Sequence, residues 1–177
     1  MHIPYLWQMY LKRLTIFLFL ITLCLVTTAQ KAILWGKIVR IADGDTVTLL
    51  DSLNQQHSIR LHGIDCPERT QDYFQVAKDF TGQFCTNKLV RADVYSYDQY
   101  KRAIARVYVD SIELNYALLK SGLAWHFTQF DKTTYYAEAE AEAKMYKRQL
   151  WSIPNPIAPW EFRKWKRQQR QNSKAKN

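Results

Sequence analysis

Between residues 38 and 109 the chain consists largely of short β-branched or alternating runs, separated by residues that favour turns. These runs cover residues 38–41, 46–50, 57–61, 90–95 and 103–109. Asp43-Gly44 has the Asp-Gly signature of a tight hairpin turn, and residues 51–56 have the composition of a second turn. Short strands at this spacing predict a small β-barrel that closes its own edges.

Three helical patterns interrupt or follow the strands. They cover residues 72–88, 112–121 and 133–150, each with apolar residues at helical spacing or a strongly helical composition. Gly122 is expected to end the second helix, because glycine readily adopts the left-handed conformation found there.

The first thirty residues have the pattern of an export signal. Lys12 and Arg13 precede an apolar run at residues 14–26, and small residues at 27–29 predict cleavage after Ala29. The apolar run is shorter than the roughly 20 residues that a membrane span needs. We therefore expect a signal peptide over residues 1–29 and a secreted or periplasmic protein. The alternative is an uncleaved segment that anchors the protein to a membrane.

Two cysteines remain after that cleavage, Cys66 and Cys85. Two cysteines do not make a disulfide scaffold, although a bridge between them is possible. Cys85 lies in an apolar helical stretch, which favours a buried thiol. Neither cysteine has the Cys/His spacing of a zinc site.

Charge and aromatic content point to a polyanion as the partner. The formal net charge is +9, and without Lys12 and Arg13 it would still be about +7; aromatic residues make up 14% of the chain. A basic, aromatic-rich surface suits nucleic acid, whose bases can stack on rings. Residues 153–177 form a proline-containing basic C-terminal tail, which we expect to be disordered from residue 163 onwards and able to contact phosphates.

Three short segments carry the charged residues that phosphodiester hydrolysis requires. They read DGDT at 43–46, RLHGIDCPE at 60–68 and YKR at 100–102. Taken alone, each is an ordinary turn, charged loop or solvated arginine. Together they supply two carboxylates for a hard cation, a third carboxylate as a base, and two guanidinium groups for phosphate oxygens.

The order of these segments resembles the staphylococcal nuclease-like family. The pattern continues with Asn115 and Gly-Leu-Ala at 122–124, and Asn-Pro-Ile-Ala-Pro-Trp at 155–160 is similar to exported bacterial members. The resemblance covers roughly residues 38–151. It implies an α+β fold, a five-stranded OB-like β-barrel with three α-helices, over residues 32–152.

The resemblance also implies a calcium site. Asp45 and Asp65 would ligate Ca²⁺ through carboxylate oxygens, the backbone carbonyl of Cys66 would be a third ligand, and Asp43 would order water near the ion. The chemistry of the residues agrees, because an all-oxygen set selects Ca²⁺, Mg²⁺ or Mn²⁺ over zinc or copper. With few protein ligands, the dissociation constant should be on the order of 10⁻⁴ to 10⁻³ M.

The catalytic residues implied by the resemblance are Arg60, Glu68 and Arg102. Glu68 would be the general base or orient the attacking water, while Arg60 and Arg102 would clamp the scissile phosphate. Arg102 could also assist the leaving group. The implied products end in 3′-phosphates.

Substrate contacts are expected from Tyr100, Lys101 and Trp125. Trp125 could stack on a base, or it could pack in the core. The family often has glycine at the position of Lys101, and a small residue at that of Cys66. A left-handed backbone would make Lys101 unfavourable by about 1 kcal/mol, and Cys66 could make the site sensitive to oxidation.

The sequence thus predicts a secreted, Ca²⁺-dependent nuclease for DNA and RNA with low sequence specificity. No stable protein partner is implied, and a monomer is expected. The alternative is a non-catalytic, nucleic-acid-binding OB-type module at the cell envelope. The enzyme is favoured because the metal-binding and catalytic positions all carry the residues that the chemistry needs.

Overall fold

A computed structural model describes residue 7 and residues 9–15 and 32–174. The chain divides into two compact units, Met1–Gln30 and Lys31–Asn177. In the first unit residues 9–15 are helical, while most of the predicted signal's apolar run and its cleavage site lie outside the described residues. None of the helices in the described part has the length and apolar character needed to cross a bilayer.

Residues 32–174 contain eight strands, of which five close into a barrel. The strands are β1 (Ile33–Asp43), β2 (Thr46–Asp51), β3 (Gln56–Leu61), β4 (Ile64–Asp65), β5 (Val90–Tyr97), β6 (Ala103–Val109), β7 (Ile112–Glu113) and β8 (Trp125–His126). The main sheet has the order β3-β2-β1-β5-β6-β7, and β3 also pairs in parallel with β6. This last pairing joins the two ends of the five-stranded sheet. The β4 and β8 strands form a separate pair.

The barrel follows from the period-two patterns and the turns. In β6 every second residue, from Ala103 to Val109, is buried, as expected for a strand with one face on a core. The β1 strand has register shifts between Ile38 and Arg40 and again between Ile41 and Asp43. Such bulges bend and twist a strand, which helps a long strand follow a small barrel.

The same residues form four α-helices and one 3₁₀ turn. They are α1 (Phe74–Cys85), α2 (Leu114–Lys120), α3 (Thr134–Met145), α4 (Pro159–Lys174) and the 3₁₀ turn Gln149–Ser152. The first three match the predicted helices with shorter bounds, so the predicted fold class is confirmed. Gly122 ends α2 with φ +72°, and a Cβ there would lie 2.5 Å from the carbonyl oxygen of Arg148.

The prediction of disorder after residue 163 is wrong for the residues up to Lys174, because these residues belong to α4. Proline is favoured in the first turn of a helix, and α4 begins at Pro159. Ala158 and Pro159 are buried, and the Trp160 ring stacks on Phe127 at 4.9 Å between centroids. Packing at its first turn therefore holds the helix on the domain.

Asn115 fastens α2 to the barrel. Its side chain is fully buried, and its Nδ2 donates to the carbonyl oxygen of His62 at 2.9 Å, while its Oδ1 accepts from the backbone N–H of Val107 at 3.1 Å. A buried amide is tolerated when its donors and acceptors are paired. This contact holds β3, β6 and α2 in one arrangement around the site.

Both described cysteines, Cys66 and Cys85, are free and buried. The possible bridge between them is not formed, and the expected buried thiol at Cys85 is confirmed.

Candidate active site

Arg60 lies between two buried aspartates. Its Nη1 donates to Oδ1 of Asp45, and its Nη2 donates to Oδ1 of Asp65 at 2.5 Å. Asp45 lies in the β1–β2 turn, Arg60 lies on β3 opposite Thr46, and Asp65 ends β4. The relative exposures of Asp45 and Asp65 are 1% and 0%. The two carboxylates predicted to hold a metal therefore share one guanidinium.

The turn that contains Asp45 is held in place by hydrogen bonds to the loop after β4 and to α1. The second carboxylate oxygen of Asp45 accepts from the backbone N–H of Cys66 at 2.6 Å, and Thr81 of α1 donates to the carbonyl oxygen of Gly44 at 2.6 Å. A Cβ on Gly44 would lie 2.9 Å from the Cys66 sulfur, so the turn requires glycine for this close approach. Asp43 accepts from the Asp45 backbone N–H at 3.3 Å, which places it beside the pair.

Glu68 lies in the loop after β4, half-buried. Its backbone N–H donates to Oε1 of Gln71 at 2.9 Å, and its carboxylate accepts from Nη1 of Arg163 at 2.6 Å. The same guanidinium donates to Asp65, at 3.2 Å from Nη1 to Oδ1 and 2.7 Å from Nη2 to Oδ2. Arg163 thus joins the predicted base to one predicted metal ligand.

Arg163 is the site residue that the sequence reasoning missed. It lies on α4, in the segment expected to be disordered, and nothing in residues 60–68 indicates its presence. Lys166, one turn further along α4, donates to Thr70 Oγ1 at 3.2 Å, and Gln71 donates to the carbonyl oxygen of Ile157 at 2.8 Å. The one available signal was the proline at residue 159, which is typical of a helix start.

The protonation equilibria of the cluster follow from its burial and its charges. Burial raises the pKa of Asp45 well above its usual value, Arg60 opposes that rise, and the carboxylates of Asp43 and Asp65 add to it. Burial lowers the pKa of Arg60, but Asp45 and Asp65 outweigh this and raise it. The carboxylates therefore repel one another when ionised, and nearby cations stabilise their ionised forms.

Arg102, Tyr100 and Lys101 lie on the turn before β6. The Arg102 Nε donates to Asp98 at 2.7 Å, and the Arg102 guanidinium carbon lies 5.5 Å from the centroid of the exposed Tyr100 ring. Arg102 forms its ion pair with Asp98, and it forms none with the acids that pair with Arg60 and Arg163 in the described part of the chain. Lys101 has φ +62°, the left-handed backbone considered for this position. The roles of all three in catalysis or substrate binding remain predictions.

Trp125 belongs to an aromatic cluster. Its ring centroid lies 4.4 Å from that of Trp151 and 5.8 Å from that of Trp160, both edge-on, and Lys144 Nζ lies 5.6 Å from it. The structure thus shows the packing role considered for Trp125, while base stacking there stays a prediction.

A model of the staphylococcal nuclease homologues matches residues 58–153. The chain belongs to this family. The match includes Arg60, Asp65, Glu68 and Arg102, whereas the hairpin acids and α4 lie outside it.

Curated relatives agree with the family. A protein of Escherichia coli O157:H7 named an uncharacterized endonuclease is 34% identical over 129 residues, or 72% of this chain and 84% of the relative. One of Haemophilus influenzae with the same name is 34% identical over 136 residues, covering 77% and 75%. A staphylococcal-like nuclease of Arabidopsis thaliana is 37% identical over 115 residues, covering 65% of this chain and 36% of the plant protein. The expectation of a nuclease-type hydrolase is thereby confirmed.

In this staphylococcal nuclease homologue the carboxylate cluster fits a hard divalent cation by its charge and its donor atoms. The acids Asp43, Asp45, Asp65 and Glu68 outnumber the guanidiniums of Arg60 and Arg163 by two formal charges. Among the described residues no three His, Cys, Asp or Glu side chains converge as a metal cage. The carboxylates of Asp45 and Asp65 are oxygen ligands of the kind that calcium prefers.

A second buried network in this nuclease homologue is structural. Asp131 is 6% exposed, and it pairs with Arg106 at 3.1 Å and with His62 and His126 at 3.3 Å each. Burial raises the pKa of Asp131, but hydrogen bonds, those from Thr133 foremost, outweigh it and hold the pKa below its usual value. His62 also stacks on Tyr95 at 4.7 Å, which agrees with a packing role for this histidine.

Proposed function

We propose that this protein is an exported, Ca²⁺-dependent nuclease that hydrolyses DNA and RNA with low sequence specificity and leaves 3′-phosphate ends. The observation that carries the proposal is the convergence of Asp45 and Asp65 on Arg60, with Glu68 joined to Asp65 through Arg163. A buried acid pair beside a half-buried acid is an arrangement suited to bind a cation and to move a proton.

Each residue has a definite part in the proposed reaction. Glu68 accepts the proton of the water that attacks phosphorus, because a half-buried carboxylate at the edge of the cluster is open to solvent. Arg60 keeps N–H groups beyond the two that contact Asp45 and Asp65, and these donate to a phosphoryl oxygen. Arg102 donates to the phosphate after leaving Asp98, with which it forms a partly exposed ion pair.

The bond that breaks in this proposal joins phosphorus to the 5′ oxygen. The phosphate then stays on the 3′ oxygen of the preceding nucleotide, and the 5′ oxygen takes a proton from solvent water as it leaves. Asp45, Asp65 and the carbonyl oxygen of Cys66 would hold Ca²⁺, with Asp43 ordering its water. When bound, the ion supplies positive charge for the phosphoryl oxygen and lowers the pKa of nearby water.

Low sequence specificity follows from what the proposed residues contact. Guanidiniums and a cation bind the phosphate backbone, which carries no direct sequence information. Exposed Tyr100 and Lys101 would add contacts to the same strand, and Trp125 would contact a base at the edge of the aromatic cluster. Export agrees with weak calcium binding, because calcium is abundant outside cells. We propose a monomer, which the mass of the purified protein in solution tests.

The decisive experiment measures the fragments. The purified protein is incubated with single-stranded DNA or RNA in Ca²⁺, or in a chelator, and the fragment ends are analysed. We expect cleavage in Ca²⁺ of both substrates, 3′-phosphate ends, and no cleavage in the chelator. Binding without cleavage in Ca²⁺ would instead identify a non-catalytic nucleic-acid-binding module. Sequencing the N-terminus of protein recovered from medium or periplasm tests export and cleavage after Ala29.

A further inference from the structure

The α4 helix carries a row of basic side chains on one face. Arg163 is followed at helical offsets of 3, 4, 7 and 11 residues by Lys166, Arg167, Arg170 and Lys174. At 3.6 residues per turn these offsets place each of the four side chains within about 60° of Arg163 around the helix axis. We call this row the basic face of α4. Glu161 is the sole acid in α4, which the structure describes in full.

The basic face begins at the active site. Arg163 contacts Glu68 and Asp65, so the first residue of the row lies on the acids of the proposed catalytic cluster. The row then continues to Lys174 over about 16 Å at 1.5 Å per residue. Any strand bound along it therefore runs into the place where the phosphate would be cleaved.

The far part of the row has no internal counter-ion. Arg167, Arg170 and Lys174 are exposed, and none of them forms an ion pair with another described residue. Three pairs of like charges, 163/167, 166/170 and 170/174, stand four residues apart, a spacing at which like charges destabilise a helix. An external polyanion would remove this repulsion.

We propose that the basic face of α4 binds the phosphates of a single nucleic-acid strand on one side of the bond to be cleaved. This surface extends the substrate site, and it rests on the proposed function for the identity of its occupant. Charge complementarity and continuity with the cluster at Arg163 support nucleic acid. An anionic membrane is less well matched, because membrane-surface helices lay a free apolar face on the lipid. In α4, Trp160 is stacked on Phe127 of the domain, and the exposed ring of Trp165, which stacks on Phe162, is a single aromatic side chain rather than an apolar face.

The test measures the salt dependence of binding. A labelled single-stranded oligonucleotide is titrated by fluorescence anisotropy in a chelator, where no cleavage is expected, over a series of salt concentrations. The test variant is Arg167→Gln/Arg170→Gln/Lys174→Gln. The matched control replaces three exposed lysines on other elements, Lys37→Gln/Lys88→Gln/Lys120→Gln, and has the same net charge.

We expect the slope of log K against log salt to become shallower by about 2 in the test variant, since each lost phosphate contact on a single strand contributes about 0.7. The control variant should keep the wild-type slope. Circular dichroism checks that both variants keep their helix content. Equal slopes in the two variants would overturn the proposal. Binding to anionic lipid vesicles is measured for the same variants, and a test variant that loses lipid binding but keeps the wild-type oligonucleotide slope would also overturn it.

Cleavage assays separate this proposal from the proposed function. In Ca²⁺ the test variant should lose efficiency on the oligonucleotide but keep wild-type rates on bis(p-nitrophenyl) phosphate, which is too small to reach Arg167, Arg170 or Lys174. If the wild type cleaves DNA but both variants have equal salt slopes, the nuclease function is supported and the α4 binding surface is rejected. If the wild type cleaves neither substrate but the test variant has the shallower slope, the binding surface is supported and the nuclease function is rejected.

Discussion

Arg163 and Asp65 are 98 residues apart in the chain, yet the guanidinium of Arg163 donates to both carboxylate oxygens of Asp65, at 2.7 and 3.2 Å. Asp65 is fully buried, and a buried carboxylate without a positive partner is strongly unfavourable. Arg60 also contacts Asp65. A calcium ion ligated by Asp65 would therefore compete with Arg163 for the same carboxylate oxygens.

Replacing Arg163 should strengthen calcium binding. We expect Arg163→Gln to lower the dissociation constant for Ca²⁺ by up to about fivefold, because a partly exposed ion pair contributes at most about 1 kcal/mol. Isothermal titration calorimetry measures the constant without any substrate. Lys164→Gln removes the same charge from an exposed position of α4 and serves as the control. Equal affinities in the two variants would show that Arg163 does not compete with the ion.

Glu68 should control turnover rather than binding. Glu68→Gln keeps the shape of the side chain but cannot accept a proton, so we expect kcat to fall by roughly 10² to 10⁴-fold with KM little changed. Steady-state cleavage of a fluorogenic oligonucleotide in Ca²⁺ provides both values. Glu138→Gln, at an exposed position of α3, should match the wild type. Wild-type turnover in Glu68→Gln would assign the base to another group.

Lys101 should destabilise the fold through its backbone. Its φ of +62° is disfavoured for residues with a Cβ, so Lys101→Gly should raise the free energy of unfolding by about 1 kcal/mol. Lys132→Gly is the control, since Lys132 is exposed and is not among the residues with positive φ. Urea denaturation should show the first variant more stable than the wild type and the second less stable.

The two buried thiols should resist alkylation in the folded protein. Cys66 and Cys85 are 3% and 1% exposed, and burial raises the pKa of Cys85 to about 11. At pH 8 the thiolate of Cys85 is then roughly a hundredfold scarcer than in the unfolded chain. Iodoacetamide labelling followed by peptide mass spectrometry should show slow labelling of both cysteines in buffer and fast labelling in urea. Rapid labelling of Cys66 in the folded protein would contradict this expectation and support an oxidation-sensitive site.

Arg106 should matter for stability far more than a surface arginine. It is 16% exposed and pairs with buried Asp131, so Arg106→Ala removes the guanidinium partner of a buried carboxylate and should lower the free energy of unfolding by about 3 kcal/mol. Arg91 is 38% exposed and pairs with Asp93. Its replacement by alanine should lower the free energy of unfolding by less than about 1 kcal/mol. Urea denaturation measures both, and similar losses would contradict the structural role of the Asp131 network.

Much of the fold is local enough to be predicted. The turn at Asp43-Gly44 and the period-two burial of β6 arise from residues close together in the chain, where backbone preferences and alternation decide the outcome. Asp65, at the end of β4, and Glu68, in the loop that follows, are close because they are three residues apart. The bounds of the helices were less well predicted: Ile112–Glu113 pairs with β6 instead of starting a helix, because strand pairing outweighs a local helical pattern.

The sequence by itself determined the barrel class, the family pattern and the acids and arginines that the site draws on, because these depend on local periodicity and on short spacings. Only the tertiary structure decided that α4 folds onto the domain and that Arg163 reaches Asp65 and Glu68. Those contacts depend on how Trp160 at the start of α4 packs on Phe127. Side-chain packing between distant segments sets such geometry, and no pattern within one segment encodes it.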